Sequence, residues 1–270
     1  MGKLFGVVLV LITLVSAALF AMHTWWLPPD ISLAGREMDR QLAQTFAGTG
    51  VLFIAGQLLL AFFAFSAKDR NDKTSAPRQF PGGPVPLVIG AVVVVGIEIF
   101  ALAFVGSKAW AAVYLAPPDA NAVRIDVQAQ QFAYHFHYPG PDGVFGATHP
   151  DQFDDASGNF FGLDPVHDQA AQDDLVTATL VVPVNRPVSL LLRSRDVGHS
   201  FFVRELRVQQ DFVPGLDTPV NFTATETGTF EIVCTQLCGW GHYNMHAYLR
   251  VVSAPDYDAW LHSQAAAAAR

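Results

Sequence analysis

The chain has 270 residues, 51% hydrophobic and 15% charged, with a formal charge of −8; that is apolar for a soluble protein and leaves room for one large domain or two modest ones. The charge is uneven: residues 1–116 carry eight Lys and Arg against six Asp and Glu, whereas residues 117–270 carry eight Arg, no Lys and eighteen Asp and Glu. So acidic a C-terminal part argues against nucleic acid and suits a cationic protein partner, and two cysteines in all exclude a disulfide framework.

Three long apolar runs open the chain, the third interrupted only by Glu98. Each is long enough to cross a bilayer, so membrane helices are expected at about residues 4–26, 44–67 and 85–107, with residues 1–116 forming an anchor. The first run ends in Trp25 and Trp26, a pair suited to the membrane interface. Lys3 and the small residues Ser16, Ala17 and Ala18 also describe a cleavable signal peptide, but the apolar run continues past them into the Trp pair, which favours a retained helix. Lys68, Arg70, Lys73 and Arg78 follow the second run, against Arg36 and Arg40 after the first, so the positive-inside rule puts everything after the third helix outside the cytoplasm. Glu98 is costly in an apolar helix. It reads either as a proton-path residue shared with a neighbouring subunit or as a protonated acid bonded to a neighbouring helix.

Residues 117–255 read as an all-β domain. Short Val-, Phe- and Leu-rich runs fall at 123–127, 132–138, 176–184, 188–193, 200–208, 220–224, 229–234 and 246–252, separated mostly by Pro, Gly, Asn and Asp. They predict a sandwich or Greek-key barrel. Residues 141–174, with eight Asp and no Lys or Arg, read as an acidic surface insertion in which His149 and His167 are solvated. His135 and His137 alternate with Tyr134, Phe136 and Tyr138, which predicts a solvent-side face for the two histidines. Residues 256–270 are a tail with no assigned role.

The chemistry converges on Cys234-Thr-Gln-Leu-Cys238-Gly-Trp-Gly-His242-Tyr-Asn-Met245. A disulfide across so short a loop would restrict the unfolded chain little and leave His242 and Met245 without a role. Zinc with His199 or His242 would find a poor ligand in Met245. Thiolate, imidazole and thioether together suit copper. One Cys is enough for a mononuclear blue-copper site, whereas two bridging sulfurs can hold two coppers, each needing one His and one weaker donor. His242 and Met245 supply one of each; His199, between two expected strands, is the candidate for the second His, and the backbone carbonyl of Gln236 for the second weak donor. His246, next to Met245, reads as a strand-start residue without a ligand role.

This loop, preceded by the segment Asp196-Val-Gly-His199-Ser-Phe-Phe that continues to Gly215, is similar to subunit II of haem-copper cytochrome c oxidases. The resemblance covers the exterior domain and the anchor feeding it. It implies a membrane-anchored Greek-key cupredoxin barrel holding a binuclear CuA centre, with His199, Cys234, Gln236 (through its carbonyl), Cys238, His242 and Met245 as copper ligands. In that family the centre takes electrons from cytochrome c and passes them to haem in subunit I, where oxygen is reduced and protons are pumped. The implied setting is a bacterial-type inner membrane, with the copper domain on the extracytoplasmic side and other oxidase subunits as partners.

The chain departs from the family pattern in four places. Gln236 stands where the family usually has Glu, whose carboxylate joins a metal at the subunit interface, so that metal is not expected here. The electron-entry stretch, usually Gln-Trp-x-Trp, is Gln131-Phe132-Ala133-Tyr134, which leaves Phe132, Tyr134 and the loop residue Trp240 as candidate entry aromatics. Glu98 is deeper in its helix than the family's acidic residue at the cytoplasmic end. A third apolar segment precedes the usual two. Two alternatives carry the same motif or part of it: the CuA subunit of a nitric oxide reductase, and a membrane-anchored copper-binding delivery module.

Overall fold

A computed structural model describes residues 2–22, 27–66 and 85–268. Trp25, Trp26 and the basic connection with Lys68, Arg70, Lys73 and Arg78 lie outside the described residues. Among the described residues, three helices are long and apolar enough to cross a membrane: α1 (Gly2–Met22), α2 (Leu33–Ser66) and α3 (Val85–Tyr114). Their 21, 34 and 30 residues correspond to about 32, 51 and 45 Å at 1.5 Å per residue, and their exposed Leu, Val, Ile and Phe side chains suit hydrocarbon. Helix α2 starts well before its uncharged run, because its first two turns carry Arg36, Glu37, Asp39 and Arg40. Ser32 caps it: its Oγ accepts the Gly35 N–H at 2.8 Å and donates to the Leu206 carbonyl at 2.8 Å.

The chain divides into two compact units. One comprises Met1–Leu27 and Asp39–Ser107, the other Pro28–Met38 and Lys108–Arg270. The short segment between α1 and α2 therefore folds with the β domain. Ile31 is buried; its N–H donates to Glu205 O at 3.0 Å and its carbonyl accepts from Thr225 N at 2.7 Å.

The second unit is built on β1 (Val123–Gln130), β2 (Ala133–Tyr138), β3 (Leu175–Thr177), β4 (Thr179–Pro183), β5 (Val188–Ser194), β6 (His199–Val203), β7 (Val208–Phe212), β8 (Thr218–Phe222), β9 (Gly228–Val233) and β10 (His246–Val252). They form two five-stranded sheets, β3-β2-β1-β5-β8 and β4-β10-β9-β6-β7. The pairs β1/β5 and β4/β10 are parallel and the rest antiparallel, as in a cupredoxin-like Greek-key barrel. Alternation sets the faces: along β10, His246, Tyr248 and Arg250 point out, while Ala247, Leu249 and Val251 join Val127, Phe136, Leu190 and Phe201 in one core.

Local geometry refines the sequence expectations at three places. The run 176–184 is two strands, β3 and β4, which lie in different sheets. The run 200–208 breaks at a short 3-10 turn, Arg204–Leu206, closed by Arg207 at φ 58, a turn made without Gly or Pro. The C-terminal segment is helix α4 (Ala254–Ala268), where Ser253 Oγ accepts the Asp256 N–H at 3.3 Å and donates to Asp256 Oδ2 at 2.6 Å, and Trp260 packs edge-on against Tyr138 at 5.1 Å.

The expectation of solvent-side histidines on β2 is corrected. His135 and His137 are 7% and 0% exposed because the acidic insertion covers that face with phenylalanines. His135 stacks on Phe160 with ring centroids 3.5 Å apart, and His137 lies 5.0 and 4.7 Å from Phe145 and Phe161. The cover is locked by Asp174, whose Oδ2 meets His137 Nε2 at 2.7 Å and accepts the Gly146 N–H at 2.8 Å. Burial holds the His135 imidazole down at about 4. His167 stays exposed, paired with Asp164 at 2.7 Å.

Candidate metal centre

Residues 234–245 join β9 to its antiparallel neighbour β10, and the Cys234 N–H to Met245 O bond, 3.2 Å, closes the base of the loop. Strand β6 pairs with β9 through Phe202 and Val233, so its first residue, His199, comes beside the loop.

The described residues contain one cluster of three or more His, Cys and carboxylate side chains able to hold a metal ion: His199, Cys234 and Cys238, all buried, with ligand atoms within 4.8 Å of one another. The thiols are free and their sulfurs are 3.8 Å apart, far beyond the ~2.05 Å of a disulfide. Cys234 Sγ is 3.1 Å from the Gln236 carbonyl oxygen, while Cys238 Sγ is 3.6 Å from His242 Nδ1 and 3.8 Å from Met245 Sδ. The six residues singled out in the sequence thus lie together. Met245 is 2% exposed, whereas the Gln236 side chain is exposed and only its carbonyl faces a thiol.

His199 carries the sharpest chemical signal. It is fully buried, and its Nε2 lies 2.8 Å from Asp196 Oδ1. The carboxylate oxygen accepts, so Nε2 bears the proton and Nδ1 of the neutral ring keeps its lone pair. That Nδ1 is buried without a hydrogen-bond partner. A bare imidazole nitrogen in a buried, thiol-lined site is costly unless a cation fills it. Burial, with the second sulfur beside it, pushes the Cys238 thiol up to about 11, so thiolates here also call for a cation. Soft sulfur and imidazole donors, without a nearby ligating carboxylate, fit copper.

Sequence reasoning gave no role to the residues that orient the donors. Asp196 Oδ2 accepts the Gln131 N–H at 2.8 Å, and the Gln131 side-chain amide donates to the Cys238 carbonyl at 2.7 Å. The corner before β2, the His199 turn and the ligand loop are therefore one hydrogen-bonded unit. The readable signal was an acidic residue three positions before the histidine. Burial opposes ionisation of Asp196, but hydrogen bonds from His199, Gln131 and Val197 bring its carboxyl below the usual range.

The entry aromatics separate by exposure. Tyr134 is 2% exposed, with its hydroxyl donating to Ser200 O at 2.7 Å, and offers no surface to a partner. Phe132 is 39% exposed and lies against the loop at Gly239 and Gly241; a Cβ on Gly241 would sit 2.4 Å from its ring. Trp240, between those glycines, is 97% exposed, and Leu237 and Tyr243 are 80% and 90% exposed. The insertion reaches this corner too: Arg195, next to Asp196, stacks over Phe153 at 4.9 Å and bonds Gln130 at 2.6 Å as well as Asp155.

Residues 164–252 match the family model described as cytochrome c oxidase subunit II, periplasmic domain. An alternative cytochrome c oxidase subunit 2 from Bradyrhizobium diazoefficiens is 33% identical over 263 residues, covering 96% of this chain and 91% of that protein. A cytochrome c oxidase subunit 2 from Thermostichus vulcanus is 41% identical over 86 residues, 32% of this chain and 26% of that protein. Among solved structures, the periplasmic domain of subunit II of cytochrome oxidase (CoxB) of Bradyrhizobium japonicum aligns with a TM-score of 0.40 at 24% identity, covering 56% of this chain and 96% of that one.

Proposed function

Because the chain belongs to the cytochrome c oxidase subunit II family, we propose that it is the electron-entry subunit of a haem-copper terminal oxidase, holding a binuclear CuA centre. The observation that carries this reading is the unpartnered Nδ1 of buried His199 beside two free thiols. His199, Cys234, the Gln236 carbonyl, Cys238, His242 and Met245 would hold the metals. Copper held by this set of soft donors would supply one-electron transfer chemistry.

The chain's own residues do the rest. Asp196 fixes the ring and tautomer of His199. Gln131 ties the loop to Asp196, and burial of Met245 and both cysteines keeps water from the sulfurs. A site held by a rigid barrel end changes little when it gains or loses an electron. The electron donor is a cationic cytochrome c, drawn by the acidic domain, and the acceptor is haem in the partner subunit, where oxygen is reduced and protons are moved. Helices α1 to α3 span an inner membrane of bacterial type. Packing of residues 28–38 with the β domain supports placing the α1–α2 connection and the barrel on the same, extracytoplasmic side.

The test is copper content and reduction kinetics of the purified membrane complex. Two coppers per chain with a shared-valence spectrum, reduced by a basic cytochrome at a rate that falls steeply with salt, are expected. A single exchangeable Cu(I) would instead identify a delivery module, and a partner subunit that reduces nitric oxide would reassign the complex.

Docking is centred on Trp240, with Phe132 packed beneath the loop. Trp240→Ala should weaken donor binding by about 2 kcal/mol, the scale of an exposed aromatic anchor, while leaving copper content and spectrum unchanged. Equal donor kinetics in the variant would move the entry point elsewhere.

A further inference from the structure

Glu98 lies in a cleft of about 340 Å³ between α2 and α3, within the membrane unit. Among the described residues its carboxyl has no hydrogen-bond partner. The polar side chains sharing the cleft, Gln41, Gln44 and Thr45, all come from the first three turns or so of α2. By helix rise, Glu98 is about 24 Å below Tyr114 at the end of α3, and Gln44 and Thr45 are about 17 Å below Leu33 at the start of α2. Gln41 lies higher still, with its amide donating to the Leu102 carbonyl at 3.1 Å. Arg36, Glu37, Asp39 and Arg40 follow on α2 above it, and Lys108 on α3.

The arrangement is one-sided. In the other direction α3 has no polar side chain between Val85 and Ile97, and Val51, Leu52 and Val94 close the cleft. A carboxyl at mid-membrane depth is tolerated where it meets protein partners or water, and within the lining of this cleft the polar side chains lie only toward the end of α2 and α3 that continues into the β domain; Thr49 and Gln57, farther along α2, are outside that lining. We infer that Glu98 is a proton-exchanging carboxyl served by a polar, water-admitting seam that opens on the side of the membrane where the β domain lies. The ligand of this site is the proton, carried by water along Thr45, Gln44 and Gln41. The seam does not depend on the copper reading; only its naming as extracytoplasmic rests on the sidedness proposed above.

The experiment uses single-cysteine additions in the full chain, in its membrane complex, in sealed vesicles of both orientations. A small membrane-impermeant thiol reagent is read by peptide-resolved mass spectrometry, so Cys234 and Cys238 do not confuse the result. Val166→Cys, on the exposed insertion, marks the β-domain side whatever that side proves to be. Thr45→Cys and Gln44→Cys should be labelled from the Val166 side and spared from the other; Ile99→Cys, beside Glu98 on α3 and 60% exposed in the free chain, should be spared from both. Retained copper absorption certifies each variant as folded. Labelling of Thr45→Cys from the opposite side, or from neither, overturns the inference. As a second readout without a new cysteine, the infrared carboxyl stretch lost in Glu98→Gln should shift when only the pH on the Val166 side is changed; a stretch that ignores that pH would also overturn it.

Discussion

Cys234→Ser is expected to abolish the shared-valence copper spectrum and reduce copper from two per chain to at most one. The cause is local. A serine hydroxyl is a hard donor, protonated at neutral pH, and cannot bridge two soft ions. The two sulfurs, 3.8 Å apart, sit on opposite shoulders of the loop, each beside a different weak donor: the Gln236 carbonyl for Cys234, and Met245 for Cys238. Losing one sulfur leaves Cys238, His242 and Met245 as a set able to hold one ion, so residual copper should be mononuclear. The barrel should survive, because Cys and Ser are close in size and the loop base is held by the Cys234 main chain. Gln236→Ala is the matched control: its carbonyl remains, its side chain is exposed, and copper and spectrum should be retained. Intact bridging in Cys234→Ser, or copper loss in Gln236→Ala, would overturn the ligand assignment.

The contrast between those variants also shows what was legible in sequence. The loop of candidate donors stood out because its chemistry is local, with donor types and spacing inside twelve residues and one outlying His-bearing turn. The barrel was readable because its short apolar runs are set apart by turn residues and β10 alternates strictly, apolar in and polar out. The strand change between β3 and β4 was not, since no Gly, Asn, Asp or Pro separates their halves of the run, and β-favouring Thr177 and Thr179 carry no mark of which sheet each half joins. The turn at Arg204–Leu206 lacks the usual Gly or Pro. The second face of β2 was misread because the side chains covering it, Phe145, Phe160 and Phe161, are dispersed among eight aspartates; average composition described the insertion's surface and hid its underside. Gln131 acts through other residues and leaves no spacing to read, and Asp196 leaves only its place three positions before His199.

That underside supplies the largest stability effect. Asp174 and His137 are both without side-chain exposure, and Asp174 Oδ2 serves two donors, His137 Nε2 and the Gly146 N–H. Asp174→Ala strands both in an apolar site walled by Phe145 and Phe161. Removing one member of such a buried pair costs about 3–5 kcal/mol, enough to release the insertion from β2 before the barrel unfolds. Hydrogen exchange should therefore rise first at Gly146 and around Phe160 to Gly162, while copper absorption stays unchanged. Asp174→Asn keeps an acceptor oxygen for both donors and should lose less. The decisive comparison is the double variant His137→Leu/Asp174→Leu, which replaces both polar members with apolar ones. If unpaired polarity is what the single change costs, the double variant should be more stable than Asp174→Ala despite carrying one more substitution. Additive losses would mean that the two residues contribute only shape, and the insertion would then owe its attachment to the phenylalanines alone.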